Sequence, residues 1–232
     1  MAAIDLYYAM KLPPEKAIEY LASKGLKTTT NWKDMLRDAH NKAFTVAGIA
    51  KLDILQDIKD KLLSAMNEGI SITDFANSLE DVLPKYRLNT IYRTNLQSAY
   101  MAGRRESMLR ATNTHPYWMY VAVMDKDTRP SHALLNGKVY PADDEFWDYY
   151  FPPIDYNCRC RVRPLTPREV KQKGLDISNS SEIKVDDGTA TMEVDGMTIS
   201  TGKNWAGVPG EYEPDLSKYD NEFLKQYKRD KK

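Results

Sequence analysis

The residues able to do chemistry crowd into one stretch: Asp125-Lys126-Asp127-Thr128-Arg129-Pro130-Ser131-His132, then Asn136-Gly137, Asp143-Asp144-Glu145-Phe146-Trp147, Phe151-Pro152-Pro153 and Asn157-Cys158-Arg159-Cys160-Arg161. His132 beside Ser131, Asp125, Asp127 and nearby arginines offers a general base and cationic groups. A metal-independent ribonuclease uses such a set to take a 2′-OH proton and stabilise a pentavalent phosphate. The stretch has no second histidine after His115, and the chain lacks Gly-x-Ser-x-Gly, His-Glu-x-x-His and Gly-x-x-x-x-Gly-Lys patterns. The favoured reading of His132 is therefore structural, a turn histidine bonded to a carboxylate or carbonyl. Cys158 and Cys160 are the only cysteines. A disulfide wants Cβ atoms about 4 Å apart, which two residues separated by one position in an extended chain do not reach, so the two are poorly placed to bridge, and a reduced compartment in which they pack as small hydrophobes fits them. Arg159, Arg161, Arg163, Arg168, Lys171 and Lys173 are opposed only by Glu169. About six phosphate contacts would suffice for salt-sensitive, non-specific nucleic-acid binding. Arg159, Arg161 and Arg163 share one side of a strand, and the competing reading is that they are solvated or ion-paired. Asp143, Asp144, Glu145 and Asp148 lack the glycine-hinged loop of a calcium site and suit the start of a short helix, with Trp147 buried in the chain's own core.

These groups must be held by the elements around them. Pro13-Pro14-Glu15 opens a short helix ended by Gly25. Apolar positions from Trp32 to Met66 keep a helical period that Gly48 divides in two, and Ser71 to Asp74 caps a helix carrying Phe75, Leu79, Val82 and Leu83. A locally basic helix is expected from about Tyr86 to Arg110, with Leu88, Ile91, Tyr92, Leu96, Ala99 and Gly103 on its packing face. Tyr117 to Met124 is an apolar run of strand length, buried on both sides if central in a sheet, and Cys158 to Leu165 is a second strand. Thr166-Pro167-Arg168-Glu169 reads as a capping box ahead of a helix ending near Gly174. Asp187-Gly188 and Asp195-Gly196 join small strands by tight turns, and Asp220 to Lys232 reads as a polar terminal helix. The fold class is α+β, a helical N-terminal half followed by a small mixed, turn-rich C-terminal half. Its expected parts are a helical region 1–112, a motif-bearing core 113–175, and a β-turn segment with a polar tail 176–232.

The composition agrees. With 33 Lys+Arg against 33 Asp+Glu in 232 residues, the chain excludes a uniformly basic nucleic-acid coat. Its neutrality is read as the sum of segregated patches: basic around Arg93 to Arg110, acidic around Asp143 to Asp148, basic from Arg159 to Lys173. No apolar run reaches the roughly 18 to 20 residues of a membrane span, and Met1 to Asp5 lack the basic start of a secretory signal, so cytoplasmic synthesis is expected. Fifteen Tyr and four Trp against five Phe suit surfaces buried on assembly.

The order of clusters carries a more specific message: Tyr92-Arg93-Thr94-Asn95 before Ala99-Tyr100 and Ala102-Gly103-Arg104, then Asp125 with Thr128 to His132 and Gly137, Asp143-Asp144 with Phe146-Trp147, Pro152-Pro153, and Asn157 to Cys160. This order resembles the phage Mu F-like minor head protein family, also called the head morphogenesis family of tailed phages and prophages. The resemblance implies a non-enzymatic minor structural protein of the virion head, made in the bacterial cytoplasm, acting in procapsid assembly. The implied partners are the portal protein and the coat or scaffold protein, with non-specific DNA contact possible; a nucleic-acid-binding or nuclease-like phage protein is the alternative. It also implies the motif residues Asp125, Arg129, His132, Gly137, Trp147, Pro152, Pro153, Asn157, Cys158 and Cys160. Many members carry Cys-x-x-Cys where this chain has Arg129 to His132, and a histidine just before the Cys-Arg-Cys, a ligand set suited to tetrahedral zinc. Here Arg129 stands for the first cysteine, His132 for the second, and Asp155 or Tyr156 for the later histidine. His132, Cys158 and Cys160 remain as ligands with Asp155 as a fourth candidate; the favoured expectation is no cofactor, with zinc as the alternative.

Overall fold

The computed structural model describes residues 14–29, 41 and 43–210. The expected elements around Trp32 and from Asp220 onward lie outside these residues.

Among the described residues the helical half shows four helices. α1 (Pro14–Ser23) buries Ala17 and Leu21, one turn apart. Short strands β1 (Gly25–Leu26) and β2 (Ala43–Phe44) pair in parallel, so Ala43 to Ala47 form a strand and turn rather than the helix their periodicity predicts. α2 (Leu52–Glu68) turns Leu55, Ile58, Leu62, Ala65 and Met66 inward and stops at Gly69, whose φ of 72° lets its N–H reach Ala65 O. Lys59 on the same face is also buried; its ammonium donates to Ala22 O and Lys24 O at 2.8 and 2.5 Å. It thereby satisfies carbonyls at the C-terminal end of α1, where a cation is favoured. α3 (Ile72–Asn77) is capped by Ser71, whose hydroxyl accepts from Asp74 N–H. It ends earlier than expected, leaving Leu79 and Leu83 buried in turns and Val82 exposed.

α4 (Lys85–Arg110) has 26 residues, about 39 Å of helix. Leu88, Tyr92, Leu96, Ala99 and Tyr100 join the helical core, whereas Met101 and Met108 belong to the core of the C-terminal half. Gly103 is where α1 crosses: a Cβ there would lie 3.1 Å from Lys16 Cβ and 3.3 Å from Ala17 N.

The C-terminal half holds two antiparallel sheets. In the first, β3 (Tyr117–Val121) lies between β4 (Val139–Pro141) and β5 (Arg161–Leu165), with Tyr117 opposite both Pro141 and Leu165. Both faces of β3 are covered, unequally. Trp118 and Tyr120 are fully buried in the main core, while Tyr117 and Met119 pack on a smaller cluster of Val139, Leu165 and Val170. α5 (Pro130–Leu135) joins β3 to β4, α6 (Phe146–Tyr150) follows β4, and α7 (Pro167–Lys173) follows β5 with both hydrogen bonds of its capping box formed between Thr166 and Glu169. The second sheet runs β6 (Lys184–Asp186), β7 (Thr189–Val194), β8 (Met197–Ser200). Its hairpins turn on Asp187-Gly188 (φ 43° and 72°) and Asp195-Gly196 (φ 49° and 76°), the left-handed pairs that a two-residue type I′ turn requires.

One aromatic cluster ties these sheets together. Trp118 packs on Trp147 and Phe151, and Phe146 stacks on Tyr140 at 4.1 Å. Trp147 is buried, as its place after an acidic helix start predicts, and donates to Pro141 O. Asp144 accepts the N–H of Phe146 and of Ser180, which fixes that helix start. Ala190, Met192, Val194 and Ile199 of the second sheet share this core. The two halves are joined along α4: Gln97 Nε2 donates to Cys160 O at 2.6 Å and Arg104 Nε to Val162 O at 2.8 Å.

Candidate metal centre

The loop after β3 is shaped by its own short side chains. Asp125 accepts the N–H of Asp127, and Thr128 donates to Val123 O. Arg129 in extended conformation, with Pro130 at the first helical position, then starts α5. This sets His132 on the inner side of a one-and-a-half-turn helix, where only 4% of its surface is exposed. Asn136 closes the segment by accepting Ala122 N–H, and Gly137, at φ 83°, donates to Tyr120 O.

From the other side come the cysteines, and here the strand expectation fails. β5 begins only at Arg161, so Cys158 and Cys160 lie in a turn and its exit rather than on alternating strand positions. Asn157 adopts φ 52°, its N–H bonded to Thr94 and its amide to Thr90, both on α4. Cys158 N–H returns to Asp155 O. On an extended strand two residues separated by one position would share a face roughly 7 Å from each other; the bend brings their sulfurs within 4.8 Å. His132 Nδ1 lies 3.4 Å from Cys160 Sγ and 3.7 Å from Cys158 Sγ. The ligand atoms of all three lie within 4.8 Å of one another, and all three residues are buried. A cavity of about 10 Å³ adjoins them, bounded also by Asp127, Thr128 and Arg129.

Electrostatics divide the two thiols. Burial opposes ionisation of Cys158, but hydrogen bonding from Cys160 and the neighbouring His132 outweigh it and hold this thiol well below the usual range. Hydrogen bonding to Cys158, then burial, drives Cys160 far upward. Tyr120, fully buried beside both sulfurs, is raised well above an ordinary phenol, first by burial and then by the cysteines. Its hydroxyl lies close to both sulfurs but makes no well-formed hydrogen bond.

The remaining predicted residues separate. Asp125 takes a two-pronged ion pair from Arg159, both contacts 2.6 Å, and that guanidinium, ahead of a smaller opposing effect of burial, holds its carboxyl far below the usual carboxylate range. Asp155 is held by Arg129 at 3.3 Å and is not among the clustered ligands. Arg129, which stands for the first cysteine, thus meets both positions that could stand for the later histidine, pairing with the Asp155 carboxylate and donating to Tyr156 O. Arg163 pairs with Glu169 at 2.7 Å, so Arg159 and Arg163 are both committed to carboxylates rather than forming an open row with Arg161. Trp147, Pro152 and Pro153 are core residues, the Pro152-Pro153 bond being cis. The sequence reading missed Tyr120, Gln97 and Arg104. For Tyr120 a signal existed: a hydroxyl in the middle of an otherwise apolar central strand must find a partner.

A larger cleft of about 310 Å³ opens elsewhere, between α1, β2 and α4, near Trp205. Among the described residues its lining includes no carboxylate, histidine or cysteine; its titratable groups are Lys24, Arg87 and the phenols of Tyr20, Tyr86 and Tyr156.

Sequence comparison defines the class: the chain belongs to the phage Mu F-like family, residues 56–163 matching the family described as "Phage Mu protein F like protein". That match runs from α2 into β5 and contains all three clustered ligands. The chain is 40% identical to "Putative capsid assembly protein F" of Escherichia phage Mu over 225 residues, covering 86% of this chain and 50% of that protein. It is 36% identical to "Mu-like prophage FluMu F protein" of Haemophilus influenzae, covering 77% of this chain and 47% of that protein. A third relative, "Uncharacterized protein YqbB" of Bacillus subtilis, is 25% identical over 190 residues, 75% of this chain and 58% of that protein. The chain therefore spans about half the length of the curated phage relatives it matches. No solved structure gives a significant match.

Proposed function

We propose that this chain is a minor head protein of a tailed phage or prophage, acting in procapsid assembly by contact with the portal and coat proteins and residing in the virion head. The observation that carries this reading is the 40% identity, over 86% of the chain, to a relative named for capsid assembly. The site geometry supports contact over catalysis. His132 is turned inward with its Nδ1 against two sulfurs, where a polymer's 2′-OH has no approach, and Asp125 is occupied by Arg159. No helix among the described residues is long and apolar enough to cross a membrane.

The test is co-expression with the portal and coat proteins of a Mu-like phage. Co-purification at a defined stoichiometry, and presence in purified heads, is the expected result. Independent migration together with absence from heads would overturn the proposal. A parallel incubation with RNA and DNA addresses the enzymatic alternative: cleavage that disappears in His132→Ala would replace the structural reading.

A further inference from the structure

We propose that His132, Cys158 and Cys160 bind one zinc ion per chain, and that the Tyr120 hydroxyl donates a hydrogen bond to one of the two thiolates. This concerns the chain's own architecture and stands or falls independently of the head-assembly role.

The spacing of the donors is the first reason. Zinc bonds of about 2.3 Å to sulfur and 2.0–2.1 Å to nitrogen, set at a tetrahedral angle, place N and S about 3.6 Å apart. The observed separations are 3.4 and 3.7 Å. A pair of S–H hydrogen bonds to the imidazole accounts for these distances less well, because both sulfurs approach the same nitrogen. Neutral Nδ1 carries either one hydrogen or one lone pair, so it can form one good hydrogen bond and not two. A cation among the three atoms gives each donor the same partner.

Charge and space agree. Two thiolates and a neutral imidazole around a divalent cation form a neutral group, and burying that group leaves no uncompensated charge. Two cysteines packed as thiols would instead leave the buried Tyr120 hydroxyl with only weak sulfur acceptors and no well-formed hydrogen bond. Thiolate is a strong acceptor and supplies that bond. The cavity of about 10 Å³ at the cluster holds roughly one small atom, enough for solvent in the fourth position. The donor set also selects the metal: sulfur and imidazole favour zinc over magnesium or calcium. Of the nearby carboxylates that would favour a harder ion, Asp125 and Asp155 are held by Arg159 and Arg129, and Asp127, which lines the cavity, is not among the clustered donors.

The experiment uses untagged chain purified without chelator, with metal content measured before and after reconstitution with zinc, and cobalt as a spectroscopic substitute. Expected are one ion per chain, thiolate-to-cobalt charge-transfer bands with d–d bands of tetrahedral intensity, and a melting temperature that falls when a chelator strips the ion. Cys160→Ser should lose the charge-transfer intensity. Should that variant fail to fold, the wild-type readouts decide alone: folded wild-type protein that takes up neither zinc nor cobalt, with both thiols freely titrating, overturns the proposal. Tyr120→Phe should keep one ion per chain but bind it about 10- to 100-fold more weakly in chelator competition, as for loss of a hydrogen bond to a ligand. Unchanged affinity would overturn the role given to Tyr120.

Discussion

The grip of α4 on the cysteine segment can be tested at two side chains. Gln97 and Arg104 lie two turns apart on one face of the helix, and they donate to Cys160 O and Val162 O, two positions apart on the chain entering β5. Replacing Gln97 with Leu keeps most of its volume but removes the donor, leaving a carbonyl between buried residues without that partner. The net loss of a neutral hydrogen bond plus the cost of an unsatisfied carbonyl comes to about 1–3 kcal/mol. Arg104→Met removes a charged donor, worth about 1.5–3 kcal/mol. At about 2–4 °C per kcal/mol for a protein of this size, each variant should melt roughly 4–8 °C lower. Because both bonds hold the same stretch, the double variant should depart from additivity by about 0.5 kcal/mol or more. Urea unfolding of the four proteins supplies the free energies. Losses below about 0.5 kcal/mol in both single variants, the size expected of an ordinary surface change, would refute the claim that these bonds join the halves.

Three further outcomes follow from single groups. Lys59→Met should destabilise by about 2–4 kcal/mol in urea melts, since two carbonyls at the end of α1 lose a charged donor. Trp147→Ala should cost about 3–5 kcal/mol, read in the same way, because it empties a fully packed site among Trp118, Phe146 and Phe151. Asp125 has a folded-state pKa below its unfolded value near 3.9, so the stability from its pair with Arg159 is present above about pH 4 and lost as the pH falls further. Thermal melts from pH 6 to pH 2 should therefore fall less steeply for Asp125→Asn than for wild type; parallel curves would refute the assignment.

What could be read from the sequence was what local rules decide. The Thr166 to Glu169 capping box and the two Asp-Gly hairpins form as written, because each is set by a few adjacent residues. The burial of Trp147 was legible for the same reason. Cys158 and Cys160 were misplaced on a strand because the bend at Asn157 is held by Thr90 and Thr94, more than sixty residues away, and no local pattern encodes that contact. Asp155 looked like a ligand from its position alone; the structure gives it to Arg129. Tyr120 carried a signal in its buried hydroxyl, but nothing local says that the groups it meets are the sulfurs of Cys158 and Cys160.

The balanced charge also changes meaning once positions in space replace positions in the chain. In sequence the basic run after Cys158 and the acidic loop around Asp144 look like separate patches. In the fold Arg159 and Arg163 pair with Asp125 and Glu169, while the acidic loop meets the basic helix instead, Arg105 lying 3.8 Å from Asp148. Phosphates reaching Arg159 or Arg163 would first have to displace a carboxylate already at hydrogen-bond distance, an exchange that returns little of the counterion release on which such binding depends. The same pairs surround the cysteine–histidine cluster: Arg159 with Asp125 on one side, Arg129 with Asp155 on the other. Of the arginines that suggested a nucleic-acid surface, Arg159 thus also clamps the loop before His132 to the cysteine segment, and Arg129 does the same from the other side.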